Sequence, residues 1–562
     1  MTLLLPVDKM FARTRNFNFR RLISTVDWQL LLFLMLFLNV KLAVKIAAII
    51  IIYLLRFNFQ FKFSLKDPRL PLFYPLIIGI AFVGFSLNYT FASPNYLPVF
   101  FIGILFWVLC LLAVHQVKLA VEKNDVEVIH RTILAFFVIN AIISLFNMGL
   151  IIWETGALNP YRYQGGYQKY FVETGDYIRG ITLDTSTTNA VINAFGVVYF
   201  LVKKNPLMVL VCMGILLITS SNFTNLALMI VLALLFIFKT NRDQKSVIVV
   251  CMMLLVVFMV KISPENNVYT YQTIKNAIKP PTLPPVAQTN IGNKPTLSAE
   301  DLKRQIAQKY LDSIKARLNA NHPQKSPGSV IPYVGNGRYI IPGPDINTPP
   351  YQTATDTDAE QRQLLAFIGA HKTELPISSK NSFSYGLPGK GIAFLQTLKF
   401  LQRHPLKIAA GDGIGNFSSK AAFKAAGLGL AGGYPAKYAY ISNDFISNHL
   451  DIYLNFFSKK AELHSLTNSP SSVYDQLLAE YGILGVLAFC IFYLGFFMGQ
   501  RQYLTYGLPI LALVLAVLFI DYWFEQLSVI LFFELLLFTD MKENKLKLAT
   551  NKQNRNKHFF IC

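Results

Sequence analysis

Ten basic side chains stand in two stretches of this chain that are polar and lie between apolar runs. The first holds Arg162, Lys169 and Arg179. The second holds Arg403, Lys407, Lys420, Lys424, Lys437, Lys459 and Lys460. Cations gathered at the outer mouth of a membrane protein run against the usual distribution and call for an anionic ligand. At a membrane the common anion is a phosphate or diphosphate, which the planar fork of arginine can hold through two oxygens at once. The glycine-rich stretch Gly411 to Asn416 adds backbone N–H groups that glycine's freedom can turn toward a phosphate. No Gly-Lys-Ser/Thr phosphate loop or dinucleotide fingerprint accompanies it. The long second stretch also supplies His404, His449 and His464, side chains able to take a proton near neutral pH. No His-x-x-x-His pair points to a metal, and Asp356-Thr357-Asp358 sits in a Pro- and Thr-rich run where chance explains it. Charges inside the apolar runs are few, with Asp521 and Glu525 near a boundary and Glu534 deeper, so no line of carboxylates suggests an ion path.

The elements that must position these residues are membrane helices. The chain has 562 residues, 53% hydrophobic and only 15% charged, where soluble domains are about a quarter charged. Spans of roughly 20 apolar residues are expected at 22–39, 42–55, 72–90, 96–117, 131–152, 185–202, 206–221, 223–238, 246–262, 473–498, 503–520 and 522–539. The expected fold class is therefore an all-α polytopic integral membrane protein of about twelve helices. A large, partly helical extracytoplasmic loop precedes the last three spans.

Basic residues recur at every second connection: Arg13 to Arg21, Arg56 to Arg69, Lys118 to Arg131, Lys203 and Lys204, Lys239 to Lys245, Arg501, and the tail Lys542 to Lys557. By the positive-inside rule these connections and both termini face the cytoplasm. The net charge of +21 then reflects anionic lipid heads rather than nucleic acid. The expected organisation is an N-terminal bundle over 1–262 with an outer loop at 153–184, a large outer loop over 263–472, a C-terminal bundle over 473–541, and a basic tail over 542–562. Within the large loop, Ser298-Ala299-Glu300-Asp301 reads as a capping box. It opens a helix with an apolar stripe at Leu302, Ile306, Tyr310, Ile314 and Leu318. The five cysteines lie in apolar runs or at the last residue, which excludes a disulfide framework or cysteine-ligated zinc in that loop.

Several motifs then fall in a telling order. They are His404-Pro405-Leu406, Gly411-Asp412-Gly413-Ile414-Gly415-Asn416-Phe417, Tyr474, and Glu480-Tyr481-Gly482-Ile483-Leu484-Gly485 leading into a span. Upstream stand Arg179-Gly180-Ile181-Thr182, Thr187-Thr188-Asn189-Ala190, and Leu217-Ile218-Thr219-Ser220-Ser221-Asn222. With the twelve-span plan, this set resembles the bacterial O-antigen polymerase and O-antigen ligase superfamily of envelope glycosyltransferases. Where that family has His-Asn-x-Tyr, this chain has Ser471-Ser472-Val473-Tyr474. Where the family has an arginine after its Thr-x-Ser turn, this chain has Asn222.

The resemblance implies a polymerase at the outer face of the bacterial inner membrane. It would transfer a growing glycan from undecaprenyl diphosphate to a hydroxyl of another lipid-linked repeat, as in O-antigen, capsule or exopolysaccharide synthesis. A ligase transferring the glycan to lipid A core uses the same chemistry. A flippase or exporter of lipid-linked glycan, or an inactive scaffold, is the alternative from another class. Arg179 and Arg403 are assigned to the diphosphate, with Lys407 assisting. His464 or His449 is the expected base, and Tyr474 and Asp475 orient sugar hydroxyls. Gly413, Gly415, Asn416 and Glu480 complete the expected substrate contacts. No metal or cofactor is expected, because fixed cations can neutralise the leaving group. The expected partners are the lipid-linked oligosaccharide, the acceptor glycan and membrane lipids, with a chain-length regulator as a further partner.

Overall fold

The structure, a computed structural model, describes residues 25–63, 68–88, 95–162, 174–238, 240–262, 333–334, 338–339, 388–425, 438, 440–449, 452 and 469–559. The helical stripe expected from Leu302 to Leu318 and the Asp356–Asp358 pair lie outside these residues, as does His464.

The apolar runs form helices. In chain order they are α1 (Trp28–Phe37), α2 (Leu42–Leu55), α3 (Phe73–Leu87), α4 (Tyr96–Lys123), α5 (Val126–Thr155), α6 (Ser186–Val202), α7 (Pro206–Ile218), α8 (Asn222–Phe238) and α9 (Arg242–Ile262). After the two-residue strands Tyr333–Val334 and Arg338–Tyr339 come α10 (Gly389–Arg403), α11 (Lys407–Ala410), α12 (Lys420–Ala425) and α13 (Asn443–Asn448). The chain closes with α14 (Val473–Gly499), α15 (Gly507–Val517), α16 (Trp523–Gln526) and α17 (Ser528–Phe559).

Local sequence sets the helix ends. Asp27 and Thr185 accept the backbone N–H of Leu30 and Thr188. Asn205 accepts from Met208 ahead of Pro206, which fits the first turn because its missing N–H has no partner there anyway. Asn241 and Gln244 form a reciprocal capping box before α9. At the other end of a helix, Lys542 donates to the carbonyls of Val121 and Glu122, satisfying the last turn of α4.

Eleven of the twelve expected spans each fall on one helix among the described residues, and the last, 522–539, is divided between α16 and the start of α17. Only four of these, α4, α5, α9 and α14, are long and apolar enough to cross a membrane by length and composition. Seven shorter apolar helices run from 10 to 17 residues. The apolar helices, with aliphatic side chains such as Leu54, Ile230, Ile237 and Val256 turned outward, mark a membrane protein. At the centre lies the first half of α17, where Val529 to Phe538 are buried on every side. It packs on α4, α5, α6 and α15. A helix apolar all round is what that axial position requires.

The end of the long loop belongs to this same core. Ile414 fills a notch in α4 at Gly103, where an added Cβ would stand 2.1 Å from Ile414 Cγ2. Ala421 and Ala425 are likewise buried in the main cluster. Residues 388–425 thus pack against the helices.

Candidate functional site

The glycine loop and the start of α14 are joined backbone to backbone. Asp412 N donates to Ala479 O at 2.9 Å and Gly413 N to Glu480 O at 3.0 Å. The approach is closest at two left-handed glycines. A Cβ on Gly411 (φ +73°) would stand 2.3 Å from the Glu480 carbonyl carbon, and one on Gly482 (φ +65°) would stand 2.4 Å from Ala409 O. Only glycine fits either place, and Gly482 breaks the helical path of α14 there. Asn88 Nδ2 and Tyr96 Oη donate to the carbonyls of Gly411 and Ile414, tying the loop to α3 and α4.

This geometry changes the roles expected of the motif. The N–H groups of Gly411, Asp412, Gly413 and Asn416 all go to protein carbonyls, and that of Phe417 goes to Glu480 Oε1 at 3.2 Å. Asn416 donates to Asp412 O at 2.7 Å and accepts from Tyr440 Oη at 2.8 Å. Gly413, Gly415, Asn416 and Glu480, expected at the substrate, are buried, and the Gly413 N–H, the Asn416 amide and Glu480 Oε1 are engaged in internal bonds. They build the wall of the site, because a tight loop crossing a helix must satisfy its own backbone before it can serve a ligand.

A second buried network sits behind this wall. Asp475 accepts from Thr397 Oγ1 and Ser418 Oγ, each at 2.8 Å, and lies 3.1 Å from His449 Nε2. With the carboxylate on Nε2–H, Nδ1 is the basic nitrogen of His449. Its ring packs 4.5 Å from that of Phe417 and is wholly enclosed. Asp475 therefore orients His449 rather than a sugar hydroxyl, and His449 meets no solvent in this conformation. Tyr474 Oη donates to Leu515 O at 2.6 Å and is likewise committed to the fold.

The expected cations divide into committed and open ones. Lys407 Nζ bridges Asp412 at 2.6 Å and Asp444 at 2.7 Å. Burial works against its charge, but Asp412 and Asp444 hold its ammonium above the ordinary lysine value. Burial and the neighbouring Asp444 in turn lift the Asp412 carboxyl to about 7, against the pull of Lys407. The charge of Lys407 is thus already matched, and it does not stand open to a diphosphate. Arg403, in the last turn of α10, is exposed and pairs with no carboxylate among the described residues.

Arg179 is presented differently. Asn140 Oδ1 accepts the N–H of Ile181 at 3.0 Å, and Asn189 Nδ2 donates to Ile178 O at 2.9 Å. The two amides bond each other at 2.9 Å. Buried side chains of α5 and α6 thus grip the backbone on both sides of Arg179, while its guanidinium is exposed and lies 5.6 Å from the Tyr177 ring centroid. Sequence reading missed this clamp. The signal was Asn140 itself, a polar residue inside a long apolar run.

Downstream of Arg179, Asp184 Oδ2 accepts from Thr188 Oγ1 at 3.1 Å, and the same hydroxyl lies 3.5 Å from Gln526 Oε1 on α16. Burial and the Lys420 charge lower the Lys424 ammonium below the ordinary lysine value. Glu525 on α16 accepts the N–H of Ala421 at 2.9 Å and anchors this basic turn. The segment after Arg179 and the segment after the glycine loop therefore both lie against α16, and Lys420 and Lys424 are half-buried.

Comparison with known protein families, curated proteins and solved structures finds no match to this chain.

Proposed function

We propose that the protein is a polysaccharide polymerase that transfers glycan from undecaprenyl diphosphate to a hydroxyl of another lipid-linked repeat, at the outer face of a bacterial inner membrane. One observation carries this reading. Two loop segments far apart in sequence, one following the clamped and exposed Arg179 and one carrying Lys420 and Lys424, both lie against α16, through Thr188 with Gln526 and through Ala421 with Glu525. A fixed cationic mouth of this kind suits a diphosphate leaving group, whose charge grows as the glycosyl bond breaks.

In this reading Arg179 holds the diphosphate, with Lys420, Lys424 and the exposed Arg403 supplying further charge. The acceptor hydroxyl attacks the anomeric carbon, the C–O bond to the diphosphate breaks, and the hydroxyl proton passes to a base. His449, oriented by Asp475, serves as that base only if the cover over it opens. His464 remains its alternative.

A deletion strain tests the proposal. Loss of a polymerase leaves single repeat units attached to the envelope, and complementation with Arg179→Ala or Lys420→Ala should fail to restore long chains. Long unattached glycan in the deletion strain would instead mark a ligase, and repeats held on the inner leaflet a flippase. Full chain lengths with Arg179→Ala would remove that residue from the site.

A further inference from the structure

The turn between α7 and α8 buries polar atoms that find no partner among the described residues. Asn225 is 4% exposed, yet neither its Oδ1 nor its Nδ2 has a hydrogen-bond partner there. Ser220 Oγ and Asn222 Oδ1 are buried and unpartnered as well. A buried polar group left without a partner is destabilising, so four such atoms within six residues are a costly feature for a turn with no ligand to serve. Neighbouring polar groups are satisfied: Thr219 Oγ1 donates to Leu216 O at 2.6 Å, and the hydroxyls of Ser221 and Thr224 pair at 2.9 Å. The orphaned set is therefore selective. The side chain of Asn225 leans toward the start of its own helix, as Cα–Cβ bonds in a helix do, and so toward Ser220 and Asn222. The backbone at Gly175, just before Arg179, lies against Thr219 and Ser220 and places the turn beside the outer loop.

We propose that this turn is a recess that binds the uncharged hydroxyl groups of a saccharide, lined by Ser220, Asn222 and Asn225. The chemistry of the unmet groups selects the ligand class. Three of the four orphaned atoms are oxygens, of which the two amide oxygens can only accept. A phosphate offers acceptors alone and leaves those oxygens unsatisfied, whereas a sugar hydroxyl both donates and accepts. That the hydroxyls belong to a saccharide rests on the glycan-transfer reading; that the recess takes neutral hydroxyls does not. In that setting the turn holds the sugar side of the substrate, and Arg179 holds the charged side.

The test uses the full chain in nanodiscs and saturation-transfer NMR, with the methyl glycosides of glucose, galactose and N-acetylglucosamine as probes and inorganic pyrophosphate as competitor. At least one glycoside should bind without displacement by pyrophosphate. Asn225→Leu, close to Asn in size, should weaken that binding by about tenfold while leaving thermal stability equal or higher, because it removes a buried unmet amide. Ser220→Ala gives a second, milder reading should the leucine variant fold poorly. Binding of no glycoside, binding unchanged in both variants, or displacement by pyrophosphate each overturns the proposal. The last outcome marks an anion site. If glycosides bind here while the deletion strain keeps its long attached chains, the recess stands and the polymerase reading fails. Single attached repeats in the deletion strain with no glycoside bound give the reverse.

Discussion

At the scale of single residues, the site's framework depends on places where no other side chain serves. Gly411→Ala puts a Cβ into the backbone of α14 at a left-handed position, and a loss on the order of 3 kcal/mol is expected. Thermal unfolding in detergent checks it, and a variant as stable as wild type would mean that the loop and α14 do not cross so closely. Asp412 offers a pH signature. Its carboxyl, near 4 in an unfolded chain, is held up to about 7 in the fold and so binds its proton more tightly there. That contribution is fully present below about pH 4 and is lost as pH rises toward about 7. The wild-type melting temperature should therefore fall across this window more steeply than that of Asp412→Asn, which has no proton to lose. Parallel profiles for the two proteins would remove Asp412 as the titrating group.

At the scale of elements, α5 and α6 do more than span. Their facing amides, Asn140 and Asn189, fix the segment 178–181 from both sides, and Asn193 Nδ2 adds a bond to Asn189 Oδ1 at 2.9 Å. Asn189→Leu should cost about 1–3 kcal/mol, because Asn140 and the Ile178 carbonyl lose a buried partner. Hydrogen exchange should quicken at Ile181, whose N–H bonds Asn140, and unchanged exchange there would mean that the clamp does not hold the segment. The kink of α14 is the other functional element. Gly482 lets the helix bend so that Ala479 and Glu480 offer carbonyls to the glycine loop, and the chain then continues as a membrane-length helix to Gly499.

At the scale of the whole molecule, the buried half of α17 is the axle on which the other helices pack, and the loop segments gather at one end around α16 and the start of α14. The topology behind the proposed function makes a direct prediction. In a chain with its own cysteines replaced by alanine, Arg403→Cys should react with a membrane-impermeant maleimide in intact cells. Arg501→Cys should react only after permeabilisation. Labelling of both from the same side would refute the alternating arrangement of the last spans.

Sequence by itself determined where helices form, because a run of apolar residues has one way to satisfy its backbone away from water. It also marked the motifs at Arg179, Gly411 to Phe417 and Glu480 to Gly485 as more than connections. It did not determine what those residues touch. Gly413, Asn416, Asp475 and Glu480 read as substrate contacts, yet Gly413 bonds Glu480, Asn416 bonds Asp412 and Tyr440, and Asp475 bonds Thr397, Ser418 and His449, since polar groups brought into a packed wall must first satisfy their own hydrogen bonds. Lys407 read as an open cation until Asp412 and Asp444 closed around it. The clamp on Arg179, the docking of two loop segments on α16, and the unmet amide of Asn225 depend on side chains from separate helices or on a lack of partners. Neither can be read from spacing along one chain, because tertiary packing alone decides which polar atoms find each other and which are left for a ligand.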